Sequence, residues 1–83
     1  MEMSENTSQR IRSIIAKECG VKVKSVTNNT QFMSGQGLGY FDCMNALYSL
    51  QHKFHVELPE SDYEEYKTVG NLIKKILIQQ RGK

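Results

Sequence analysis

Apolar residues recur at helical spacing in three parts of this chain and lose that rhythm between them. From Ser4 to Cys19, Ile11, Ile14, Ile15 and Cys19 share one face while Gln9, Arg10, Arg12, Lys17 and Glu18 fall elsewhere. That pattern predicts a helix over residues 4–19. Gly20 follows as a stop, since glycine takes the left-handed conformation at little cost. The stripe is weak before Ile11, so the first turn or two is expected to fray. The last segment is the most regular: Val69, Leu72, Ile73, Ile76 and Leu77 follow the i, i+3, i+4, i+7, i+8 rhythm, and Thr68 is placed to cap a helix over residues 69–80.

The central segment, Leu38 to Phe54, is the most apolar, and the rest of the chain is built around it. On a wheel of about 100° per residue, Asp42, Asn45, Ser49, His52 and Lys53 fall in one arc about 100° wide. Phe41, Cys43, Met44, Ala46, Leu47, Tyr48, Leu50 and Phe54 cover about twice that, whereas a surface helix needs an apolar stripe only a little over about 100° wide. A helix over residues 40–54 with so much apolar surface is either enclosed by neighbours or meets a partner. Leu47, Leu50 and Phe54 mark the expected core edge. Gln51, polar among apolar residues beside Met44 and Tyr48, marks the edge left at the surface.

Between the periodic segments the signals are local. Val21, Val23 and Val26 alternate with lysines, but no partner strand is found elsewhere, so the stretch reads as an extended loop pinned by valines. Thr27 to Gly39 is a long connection with Phe32 and Met33 as its large apolar anchors, ending in Gly35, Gly37 and Gly39. A loop that long in a small domain is usually functional or flexible. Its glycines follow no strand and lack a trailing Lys-Ser or Lys-Thr, which argues against a phosphate-binding loop. Val56 to Pro59 reads as an extended connection. Ser61-Asp62-Tyr63-Glu64 then has the spacing of a capping box and starts a short helix over residues 61–66 carrying Tyr63 and Tyr66. Four helices with one long first connection make an all-α bundle.

At 83 residues the chain is expected to be one domain, residues 1–83. Cys19 and Cys43 are too few for a disulfide framework or zinc site, and their apolar-phase positions predict buried thiols in a reducing compartment. The N-terminus has no apolar signal-like core and no run approaches the length of a membrane span, so a cytoplasmic protein is expected. A net charge of +2 is too small to point to nucleic acid. Five of the nine acids (Glu57, Glu60, Asp62, Glu64, Glu65) surround Pro59, a pattern read as a solvated face. His52 and His55 lack a third ligand and are read as solvent-facing, so no metal is expected. No nucleophile, base and orienting acid share a recognisable spacing, so no enzyme is expected.

Several blocks give the chain a family likeness. They are Gly20-Val21-Lys22, Val26-Thr27-Asn28-Asn29 with Phe32, Phe54 with Glu57-Leu58-Pro59, and Thr68-Val69. With these the chain resembles the acyl carrier proteins of fatty-acid and polyketide synthesis, over almost its whole length and without insertion or deletion between blocks. The resemblance implies the four-helix acyl-carrier fold, with a long loop between helices one and two and a short third helix. In that family the loop ends in Asp-Ser-Leu, and the serine carries 4′-phosphopantetheine. The aligned triplet here is Gly39-Tyr40-Phe41, followed by a retained Asp42.

Loss of the serine bears on the chemistry. A transferase needs a small, unhindered alkyl hydroxyl in line with a pyrophosphate held by metal. Tyrosine presents its hydroxyl farther out on a rigid ring. No cofactor is therefore expected at the usual position, and 4′-phosphopantetheine only if an unusual residue is modified, with Ser34 in the glycine-rich loop a weak alternative. The resemblance also implies an acidic second helix that meets basic patches on partner enzymes, yet Asp42 is the only acid in this one. Its replacement would be an apolar edge. The residues expected to bind a partner are Tyr40, Phe41, Asp42, Met44, Tyr48 and Gln51.

The expectation is a non-enzymatic, acyl-carrier-like protein of acyl metabolism acting through protein binding, its partner an acyl-metabolism enzyme or a transferase. The alternatives are a working carrier loaded at Ser34 and a bundle that holds an acyl chain noncovalently. Neither nucleic acid nor a membrane span is part of the expectation.

Overall fold

The computed structural model describes residues 3–33 and 38–81. Three α-helices, α1 (Met3–Cys19), α2 (Tyr40–Phe54) and α3 (Val69–Arg81), are joined by a 3₁₀ turn at Val23–Ser25 and a short 3₁₀ helix at Glu60–Tyr66. Counting the short helix third, this is an all-α four-helix bundle with a long first connection. α1 lies against both α2 and α3, and the short helix packs on α3.

The boundaries follow local chemistry. Gly20 ends α1 at φ +68°, and Val21 N–H reaches back to the Ala16 carbonyl at 3.0 Å. His55 ends α2 in the left-handed conformation, its N–H bonded to the Gln51 carbonyl. Thr68 caps α3 through its Oγ1, which accepts the Asn71 N–H at 3.2 Å. The core draws on every element: Ile11 and Ile15 from α1, Leu47 and Leu50 from α2, Tyr66 from the short helix, Leu72 and Ile76 from α3, and Phe32 and Leu58 from connections.

Two local expectations are corrected. Residues 21–26 are not an extended loop pinned by valines, because Lys22 accepts the Ser25 N–H (2.9 Å) and Val23 accepts the Val26 N–H (3.0 Å), closing a 3₁₀ turn. A turn rotates successive side chains away from one another, so Val26 alone is buried while Val21 and Val23 stay more than a third exposed. Nor does the Ser61/Glu64 capping box form. The short helix begins at Glu60, directly after Pro59 with φ −65°, and has no side-chain cap. Its first bond runs from Asp62 N–H to the Pro59 carbonyl at 3.0 Å. Proline sets the entry angle, and the tight i→i+3 closure leaves the box without the α-helical geometry it needs.

The long first connection is anchored along its first half. Three backbone bonds clip it to the start of α3: Phe32 N–H to Lys67 O (2.8 Å), Val69 N–H to Thr30 O (2.9 Å) and Gly70 N–H to Asn28 O (2.9 Å). They flank an isolated antiparallel bridge between Gln31 and Thr68. Ser34, Gly35 and Gly37 lie outside the described residues.

The clip explains a glycine inside α3. A Cβ at Gly70 would stand 3.0 Å from the Asn28 carbonyl oxygen and 3.1 Å from Asn28 Cβ. Alanine is normally better than glycine in a helix by about 1 kcal/mol, so the sign depends on whether the clip gives way. Because the obstructing atoms belong to hydrogen-bonded backbone, Gly70→Ala is expected to lower stability by about 1 kcal/mol, roughly 5 °C in Tm. A melting temperature at or above that of the wild type would show that the two segments part easily.

Candidate functional site

α2 starts without a side-chain cap. Gly39 occupies the cap position in an extended conformation, φ −64° and ψ 147°, and its carbonyl accepts the Cys43 N–H at 2.9 Å. Asp42 supplies the negative charge instead. It lies in the first turn, where a negative charge is favoured, with its carboxylate 3.4 Å from where a Cβ on Gly39 would be.

Tyr40, the first residue of the helix, is 45 % exposed. Its phenol donates a hydrogen bond to the Glu60 carboxylate, linking the start of α2 to the short helix. That bond holds the phenol proton and raises the Tyr40 pKa above the usual tyrosine value, with some desolvation adding to it. The Tyr40 ring meets Phe41 edge-on, with centroids 5.8 Å apart and planes at 75°. Met33, Tyr40, Glu60, Ser61 and Tyr63 line a groove of about 490 Å³.

The other residues expected at a partner surface divide into two groups. Phe41 and Tyr48 point outward, 80 % and 61 % exposed. Met44, partly buried, packs against the core and bounds the exposed strip. Gln51 is engaged internally: its Oε1 accepts the Leu58 N–H at 3.0 Å, and its backbone carbonyl accepts from His55 and Val56, so its side chain fixes the connection after α2. Asp42 is half-buried.

The groove adds Glu60 and Tyr63, which the sequence placed on a solvated acidic face and a short helix without linking either to residue 40. Twenty residues separate Tyr40 from Glu60, and no periodicity joins them. The thiols also need correction: Cys43 is buried but Cys19 only half-buried. Burial, and then the neighbouring Cys43, push the Cys19 thiol up to about 12. Burial likewise raises Cys43. Thiols kept protonated in this way are poor nucleophiles. His52 and His55 are both exposed, and no group of three or more His, Cys, Asp or Glu able to hold a metal occurs among the described residues.

The chain matches a known family over most of its length. The family model described as the phosphopantetheine attachment site covers residues 9–76. The chain belongs to the phosphopantetheine attachment family. Domains of this family are carriers and not catalysts, so the chain is a non-enzymatic, carrier-type domain. The family normally carries phosphopantetheine, and its domains typically meet partner enzymes. Among the described residues, no helix is long and apolar enough to cross a membrane.

Proposed function

We propose that this chain is a divergent acyl-carrier-like protein that does not carry 4′-phosphopantetheine at the start of α2 and acts in acyl metabolism by binding another protein. One observation supports the reading: Tyr40, which the resemblance sets against the attachment serine, has its phenol bonded to Glu60. An aryl hydroxyl held this way is displaced from the helix start and shielded by a carboxylate, so it does not fit a transferase that needs a free alkyl hydroxyl in line with a pyrophosphate. The binding surface is the outward strip of Tyr40, Phe41, Met44 and Tyr48, with Asp42 and Gln51 at its margins. Exposed aromatic residues and methionine are enriched at the cores of interfaces, and Phe41 is far more exposed than an unpartnered phenylalanine usually is.

The test is the intact mass of the protein after co-expression with a broad-specificity phosphopantetheinyl transferase and coenzyme A. The expected result is no added phosphopantetheine while a control carrier is fully loaded. An increase mapped to Tyr40 or Ser34 would restore a carrier function and overturn the proposal. In a companion pull-down, Tyr40→Ala combined with Met44→Ala is expected to weaken partner capture by about 10-fold or more. Unchanged capture would move the binding surface elsewhere.

A further inference from the structure

We propose that in the free protein the outward face of α2 is covered by α2 of a second copy, the two helices running antiparallel about a two-fold axis beside Tyr48. This assignment rests on the reading of that face as the binding surface and names its first occupant. The centre of the face, opposite the buried Cys43, Ala46, Leu47, Leu50 and Phe54, falls among Phe41, Asn45, Tyr48 and His52. Of these, Phe41 and Tyr48 are large apolar rings exposed by 80 % and 61 %. These two rings, seven residues and about two turns apart on one side of the helix, leave an apolar strip that water covers poorly.

The charges decide which partner fits. Asp42 and Lys53 are the only formally charged side chains on α2 apart from its histidine, and neither has an ion-pair partner among the described residues. They lie eleven residues apart, which is about 16 Å along the axis at about 1.5 Å per residue. Around the axis they differ by only about 20° at about 100° per residue, so both sit on the same edge of the strip, one at each end.

A basic enzyme surface would meet a single acid on such a face. A parallel two-fold pair would carry each charge to the opposite edge of its copy and bring no acid beside a base. An antiparallel copy related by a two-fold axis between residues 47 and 48 sets Asp42 of each chain beside Lys53 of the other, twice, with Tyr48 against Tyr48 near the axis. The face is therefore complementary to itself in apolar content and in charge, and in one orientation only.

Fifteen helical residues form a rod about 22 Å long. A contact of that length lies at the low end of the area that stable complexes bury. The pairing is thus concentration-dependent and leaves the face available to a tighter partner.

Sedimentation equilibrium between about 10 µM and about 1 mM reads this directly, with a dimer dissociation constant expected near about 100 µM. Asp42→Lys and Lys53→Asp should each weaken the dimer by about 10-fold, and the double exchange should recover most of that loss. Phe41→Ser removes no core contact and should abolish association while leaving the helical circular dichroism intact.

A wild-type chain that stays monomeric to about 1 mM, single reversals without effect, or a double exchange no better than either single would each overturn the antiparallel dimer. A monomeric wild type whose Phe41→Ser variant still loses partner capture would sink self-association alone. Dimerisation and capture both indifferent to Phe41→Ser would sink the dimer and the binding-face reading together.

Discussion

Replacing Gly39 by aspartate and Tyr40 by serine together is expected to give a chain that a phosphopantetheinyl transferase loads at residue 40. The backbone accepts both changes. Gly39 has a negative φ, so an L side chain fits there, and a Cβ would approach only Asp42 Oδ2, at 3.4 Å, an atom at the free end of a side chain. An aspartate at that position would also give α2 the cap it lacks, worth about 1 kcal/mol. Tyr40 is partly exposed, and losing its ring forfeits the bond to Glu60 and the edge contact with Phe41 but no core packing.

Loading of the double variant should be slower than that of an ordinary carrier, by about 10- to 100-fold, because Asp42 is the only acid on α2 available to a basic transferase. Gly39→Asp alone should gain nothing, since it adds no hydroxyl. If the double variant stays unloaded under excess transferase while a control carrier loads fully, then residue 40 is not presented as the attachment serine is. The proposed correspondence would then fall.

Two phenylalanines give the second large effect by contrast. Phe32 is fully buried, and its N–H bonds Lys67 O at 2.8 Å, so its ring fills the core where the first connection is clipped to α3. Phe32→Ala is expected to cost about 3–5 kcal/mol. At roughly 0.05–0.15 kcal/mol per residue, a chain of this length has about 4–12 kcal/mol in total. The variant should therefore melt about 20 °C lower or lose its cooperative transition. Phe41→Ala removes the same side chain from a site that is 80 % exposed, and should stay within about 0.5 kcal/mol of the wild type. Equal losses at the two positions would mean that Phe41 packs against its own chain.

The helices were legible because their signals are local. The isoleucines of α1, the stop at Gly20, the cap at Thr68 and the apolar rhythm of α3 all lie within a turn or two of what they determine, and the structure places them as expected. The short helix shows where locality fails. Ser61 and Glu64 have the right spacing for a box, but the geometry was set by the proline before them. The valines at 21, 23 and 26 alternate as a strand would, yet the lysine and serine between them close a turn that leaves only Val26 inside.

The site divides the same way. That α2 is apolar on too many sides could be read from its wheel, and Phe41 and Tyr48 are indeed the surplus. The bond from Tyr40 to Glu60 and the use of Gln51 to hold Leu58 N–H are tertiary. They join residues that no periodicity connects, so they emerge only once the chain is folded.

The outward strip of α2 also bears on time. Asp42 and Lys53 cancel at a distance, so the face offers an approaching partner rings without a net field. Encounters with it are unassisted, at the roughly 10⁵–10⁶ M⁻¹s⁻¹ of neutral docking. Choice among partners must then be made after contact, by how long each complex lasts while Phe41 and Tyr48 stay covered.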